Sequence, residues 1–127
     1  MYLIIGKVDY RAIIKIFDKN FKVAVKMEKN DGDLLKITDS LLKKLRKNTK
    51  DISGVAVIND SGSFSGVRSA TTVANILSFA LKIPATSISI NDIDDTIKIK
   101  KVFKNLHGRK IILPEYSRPP NITISKK

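Results

Sequence analysis

The stretch at residues 53–59, SGVAVIN, sets the tightest limit on the fold. It is a short continuous apolar run between two longer stretches of helical periodicity. Such a run marks a strand buried on both faces, which belongs inside a sheet with both sides covered. Upstream lie three short β-rich runs at 2–8 (YLIIGKV), 10–17 (YRAIIKIF) and 21–27 (FKVAVKM), the last two joined by a hairpin turn at Asp18-Lys19-Asn20. A turn cluster at 30–33 follows, in which Asp31 or Asp33 can cap a helix starting near Leu34. That helix, LLKITDSLLKKLRKN, places Leu34, Leu35, Thr38, Leu41, Leu42 and Leu45 on one face. Lys36, Lys43, Lys44 and Lys47 fall largely on the other, basic residues crowd the last turns in accord with the helix dipole, and Asn48 ends the helix. A second helix covers about 66–82, Pro84 stops it, and TSISI (86–90) is a fifth strand. The order β-β-β-α-β-α-β, with two helical crossovers, predicts an α/β fold. Parallel strands lie beside an antiparallel meander, giving a mixed five-stranded sheet with two main helices.

Beyond Ile90 the pattern is open. TIKIKKVF (96–103) alternates like a strand, and KKVFKNL can equally end a helix. KIILP (110–114) reads as a strand, and the proline-broken PEYSRPPNITISKK as extended chain. A first unit at 1–95 and a basic extension at 96–127 follow from this change of pattern. There is no internal repeat.

The chain has 127 residues, the size of one ordinary domain, and its 43% apolar content suits one core. No apolar run approaches a membrane span, and Lys7, Asp9, Arg11 and Lys15 break up the apolar N-terminus, which argues against a signal peptide. Cysteine is absent, so disulfides and thiolate metal sites are excluded, and a cytoplasmic location is expected. The net charge of +12 favours polyanion partners, RNA above all. Compositional bias towards Lys, Ile and Asn explains it equally well. Lysines outnumber arginines and aromatics are only 6%, so point contacts to phosphate are favoured over base stacking.

Between the buried strand and the second helix stands DSGSFSGVR (60–68). A glycine loop at a helix N-terminus can hold phosphate, because free N–H groups and the helix dipole point outward. The same loop can simply make a tight turn. It lacks the GK[ST] of a P-loop and the G-x-G-x-x-G of a dinucleotide site, so composition alone favours the turn.

GSFSGVR followed by SATTVANILSFALKIP resembles the TsaB (YeaZ) family, whose members carry GPGSFTGLR, a small-residue-rich helix and then NIP. The alignment needs no gap from Leu34 to Pro84. LLKITDSLL is similar to the family's LLPxIxxLL helix, DISGVAV (51–57) to its DLDxIAV, and PEYSRPP (114–120) to its closing P-x-Y-L-R. The resemblance implies a ribonuclease-H-like, actin-like (ASKHA) lobe. It also implies a non-catalytic scaffold in the synthesis of threonylcarbamoyladenosine next to the tRNA anticodon. The implied partners are a TsaD-type catalytic subunit, a TsaE-type ATPase and a possible second copy of the chain. The implied partner surface is the two helices at 34–47 and 66–82, with Leu34, Leu41 and Leu45 on the first. On the second, Gly66, Ala70, Ala74 and Ser78 recur every four residues as a small-residue stripe.

The departures from the family pattern carry as much weight. Where members have Asp-Thr-Ser at the end of the first strand, this chain has Gly6-Lys7-Val8, and Asp60-Ser61 replaces the Gly-Pro before GSF. The family's second lobe is missing or reduced, because only about two dozen residues separate Ile90 from Pro114. Nucleotide in this superfamily lies between the lobes, so no catalytic, cofactor or metal site is expected. Gly62, Ser63, Phe64, Gly66 and Arg68 are then structural loop residues, with Phe64 an inward plug.

The remaining candidates are modest. His107 is the only histidine and cannot supply the paired ligands of a metalloprotease. Asp92, Asp94 and Asp95 are the sole support for a metal-dependent nuclease of this fold, and helix capping or a turn explains them better. Lys98, Lys100, Lys101, Lys104, Arg109 and Lys110 form a basic segment suited to the phosphate backbone of tRNA or to solvent. A free-standing basic RNA-binding module of the same fold is the alternative function.

Overall fold

A computed structural model of the chain describes residues 1–30 and 32–104, except the side chain of Phe64. Strands β1 (Tyr2–Val8), β2 (Arg11–Phe17), β3 (Val23–Asn30), β4 (Gly54–Ile58) and β5 (Ala85–Ile88) form one sheet in the order β3-β2-β1-β4-β5. β2 pairs antiparallel with β1 and β3, whereas β1–β4 and β4–β5 are parallel. This is the mixed sheet that the periodicity predicts. All five residues of β4 are buried, as expected of a central strand covered on both faces.

Helices α1 (Leu34–Lys44) and α2 (Phe64–Leu81) cover one face, and α3 (Thr96–Lys104) covers the other near β4 and β5. The alternation of β1 sorts its side chains between two cores. Leu3 and Ile5 join Leu34, Leu41, Val55, Val57, Ala70 and Ala74 under α1 and α2, whereas Ile4 and Val8 join Phe17, Ile58, Ile88, Ile99 and Phe103 under α3. Stacking of Tyr2 on Phe21 (centroids 4.7 Å apart) and the tilted contact of Tyr2 with Phe103 (4.8 Å) extend the second core to the β2–β3 loop.

Several boundaries differ from the sequence reading. Asp9 and Tyr10 both take positive φ (51° and 66°), so β1 and β2 are joined by a two-residue turn, and Tyr10 leaves the strand assigned to it. The β2–β3 connection runs from Asp18 to Lys22. The Asp18 carboxylate accepts from the N–H groups of Asn20 (2.8 Å) and Lys22 (3.0 Å), and Phe21 is left-handed. Asp33 is the N-cap of α1, accepting from Leu35 and Lys36 N–H. α1 ends before Asn48. Lys47 N donates to Leu42 O (2.8 Å) and Arg46 N to Lys43 O (3.0 Å), with Arg46 at φ 57° in a Schellman arrangement. Asn48 instead caps the short 3₁₀ turn Thr49–Asp51 in a reciprocal capping box with Asp51.

The open segment 96–103 is a third helix. Asp95 caps it by accepting from Ile97 N (3.1 Å) and Lys98 N (3.2 Å). Its buried residues are Ile99 and Phe103, at i,i+4 spacing, while Ile97 stays 73% exposed. The strand proposed at 110–114 and the segment 114–120 lie outside the described residues.

Candidate functional site: the glycine loop and the outer face of α1 and α2

The β4–α2 loop is built on the end of β1. Gly62 has φ +112°, and a Cβ there would stand 2.5 Å from the carbonyl oxygen of Lys7. Only glycine meets both demands. Ser63 is the N-cap of α2, its hydroxyl accepting from Gly66 N at 3.1 Å. A Cβ on Gly66 would also crowd Lys7 O, at 3.1 Å. The Asp60 carboxylate accepts from Ile90 N at 3.0 Å and ties the loop to the chain just after β5. The loop therefore seats α2 tightly over β1. The Phe64 side chain, expected as an inward plug, lies outside the described residues, and Arg68 is exposed one turn into the helix.

Gly6 stands where the resemblant family has an acid. A Cβ at Gly6 would meet the side chain of Ile58 at 2.7–3.1 Å. The space that an acidic side chain would need is filled by the core.

The small-residue stripe faces inward. Ala70 and Ala74 are 0% exposed, Ser78 is 4% exposed, and the Ser78 hydroxyl bonds the Ile83 carbonyl beyond the helix end. Gly66 is half-buried, against Lys7. On α1, Leu34 and Leu41 are fully buried and Leu45 packs partly against the same core. The partner-facing stripe inferred from sequence is thus corrected: these residues let α2 approach β1 and β4 closely and are spent inside the protein. The residues turned outward on the same helices are different ones. Phe79 is 79% exposed, Ile76 48% and Leu35 39%, with Val73 half-buried between them. Leu35 and Val73 also line one cleft of about 450 Å³ with Lys7, Gly32, Asp33, Leu34 and Ser69. The outer face of the helix pair is an apolar ridge beside a cleft at the carboxyl end of β1.

On the opposite face, the three aspartates are all engaged. Asp92 pairs with Lys98 (3.1 Å), which raises the lysine's pKa, and Asp95 caps α3. Asp94 reaches Lys15, a β2 lysine only 4% exposed, at 2.8 Å. Lys15 also donates to Ile93 O (2.7 Å) and lies over the Phe17 ring. The hydrogen bond from Lys15 holds the Asp94 carboxyl below its usual range. Among the described residues no group of His, Asp or Glu is arranged to hold a metal ion. The burial of Lys15 was not anticipated, yet strand alternation carries the cue, because it sets Lys15 on one face between Ile13 and Phe17, both core residues. Of the basic segment, Lys100, Lys101 and Lys104 are exposed on α3, while His107, Arg109 and Lys110 lie outside the described residues.

The sequence profile of the family described as TsaD: tRNA N6-adenosine threonylcarbamoyltransferase matches residues 29–105, more than half of the chain. The chain belongs to the TsaD family. No curated protein matches it in sequence. Among solved structures, YeaZ from Pseudomonas aeruginosa superposes with a TM-score of 0.62 at 21% identity, over 69% of this chain and 42% of that one. A protein with similarity to peptidase YeaZ from Pseudomonas aeruginosa gives 0.62 at 20% identity, with the same 69% and 42% coverage. The fold of this TsaD-family chain is thus the YeaZ-like, ribonuclease-H-like one, and the match spans less than half the length of those neighbours. No helix of the described residues is long and apolar enough to cross a membrane.

Proposed function

We propose that the protein is a non-catalytic, cytoplasmic scaffold in the threonylcarbamoyladenosine modification of tRNA, and that it binds a TsaD-type catalytic subunit through the outer face of α1 and α2. The observation that carries this reading is the apolar ridge of Leu35, Val73, Ile76 and Phe79. A phenylalanine 79% exposed in the last turn of α2 has no role in the core, and several such residues on one helix pair suit a docking surface. Membership of the TsaD family supplies the biochemical setting. The missing first-strand acid, with Ile58 filling its place at Gly6, supports a role without chemistry of its own. Residues 1–95 form the lobe in this reading and 96–127 its basic extension. A TsaE-type ATPase can join the complex.

Mixing the protein with the TsaD-type subunit of the same source, followed by size exclusion, tests this. A 1:1 or 2:2 complex is expected, and Phe79→Glu should abolish it while leaving the circular dichroism spectrum unchanged. Two separate peaks at micromolar concentration would refute the scaffold reading. The alternative, a free-standing RNA-binding module, would then gain ground, supported by the net charge of +12.

A further inference from the structure

The fold gathers cations from three segments at the end of the molecule away from the glycine loop. The carboxyl end of α1 supplies Lys44, Arg46 and Lys47, the turn after it Lys50, and the β2–β3 loop Lys19 and Lys22, all exposed. Lys19 and Lys47 line one cavity of about 460 Å³ with Asp18, Leu45 and Asp51, so the three segments meet. None of the six cations is ion-paired with a described residue. The two carboxylates among them are committed to the main chain. Asp18 accepts from Asn20 N and Lys22 N, and Asp51 accepts from Asn48 N at 2.9 Å.

We propose that this cluster is a binding site for the phosphodiester backbone of RNA. It deepens the reading above by naming a tRNA-contacting surface, and rests on that reading for the choice of RNA among polyanions. Six exposed cations, none held in a close ion pair although Lys19 and Lys22 feel the Asp18 carboxylate, meet around one cavity with no exposed aromatic among the described residues there, an arrangement that suits phosphate contacts that ignore base identity. The lysines of α3 differ in setting: Lys98 is already paired, and Asp92, Asp94 and Asp95 stand at the start of that helix.

Two triple variants of the full chain, each removing three charges, separate the site from overall charge. They are Lys44→Gln/Lys47→Gln/Lys50→Gln and Lys100→Gln/Lys101→Gln/Lys104→Gln, with labelled unmodified tRNA transcript as the probe in anisotropy titrations. The first should weaken binding about tenfold or more and lower the slope of log affinity against log salt by about 2 to 3, the second by little in either measure. Arg46→Gly adds an independent arm. It relieves a left-handed non-glycine residue (φ 57°) and should raise the melting temperature while weakening tRNA binding, which a loss through unfolding cannot mimic. Equal losses from both triples, a loss from the α3 triple alone, or binding of phosphatidylglycerol vesicles in place of tRNA would overturn the site. Assembly with the TsaD-type subunit is measured on the same samples. A first triple variant that assembles normally but binds tRNA like the parent removes this site alone. A parent that binds tRNA through the cluster but never assembles removes the scaffold reading and leaves the site standing.

Discussion

Thr38 carries the sharpest residue-scale prediction. Its hydroxyl is buried and is the one described buried side-chain polar atom without a hydrogen-bond partner, on a residue 2% exposed. An unmet buried hydroxyl costs roughly 1–3 kcal/mol. Thr38→Val keeps the shape and removes the polar atom, so the urea midpoint should rise, by an amount equivalent to about 1 kcal/mol. An unchanged or lower midpoint would show that the hydroxyl finds a partner in solution. Gly62 makes the opposite case. Gly62→Ala should destabilise by about 1–3 kcal/mol, since it combines a positive φ with a clash against Lys7 backbone. At the Lys15–Asp94 pair the pH dependence has a defined sign. The folded-state pKa of Asp94 is depressed. Its contribution is therefore present above the unfolded value, near 3.8, and lost as pH falls through the lower folded value. Asp94→Asn should lower stability at pH 7 by removing the negative charge hydrogen-bonded to the buried Lys15 ammonium. It should also flatten the acid limb of a melting-temperature profile, whereas an acid limb identical to the parent's would mean the pair contributes nothing.

At the scale of elements, α2 shows how much the sequence disclosed and where it stopped. Its existence, its stop before Pro84 and the seating role of the glycine loop were all legible, because apolar periodicity and breaker residues act locally. Which face met the sheet was not. Gly66, Ala70, Ala74 and Ser78 form a stripe compatible with any close neighbour, and only the packed structure shows that the neighbour is the chain's own β1 and β4. The better signal was the large apolar residues left over: Ile76 and Phe79 do not fit the stripe, and both are exposed. α3 was hidden for another reason. Ile97 and Ile99 mimic strand alternation, and the capping Asp95 and the Ile99–Phe103 spacing were the cues for a helix. Asp9 fell between the first two β-rich runs and read as a turn residue, but the share of Tyr10 in that turn was not legible, because the pair lacks the glycine that usually marks two left-handed residues. These placements yield a paired prediction for α2. Ala74→Arg buries an unpaired charge and should unfold the domain, whereas Ile76→Glu should leave it folded and weaken assembly with the TsaD-type subunit. Circular dichroism with a pull-down on both variants checks this. A folded, assembly-deficient Ala74→Arg would return the stripe to the interface.

For the whole molecule, the decisive feature is that two cores share one set of strands. Ile4 and Ile5 are neighbours on β1, yet one packs beneath α3 and the other beneath α1 and α2. Losing either core strips one face of the same backbone ladder, so neither layer has a stable state without the other. Unfolding should therefore be a single transition, even though the two layers are built from different helices. Phe103 tests this from the thin side, being 5% exposed, at the end of α3 and in contact with the Tyr2 ring. Phe103→Ala should cost about 3–5 kcal/mol, a large share of a small domain's total. Urea unfolding of the parent and the variant should be followed by tyrosine fluorescence, which senses Tyr2, and by far-ultraviolet circular dichroism, dominated by α1 and α2. The two signals should give coincident curves in both proteins, displaced together in the variant. If instead fluorescence shifts while dichroism keeps the parental midpoint, α3 is an appendage that opens by itself. The lobe would then be held by the α1 and α2 layer alone.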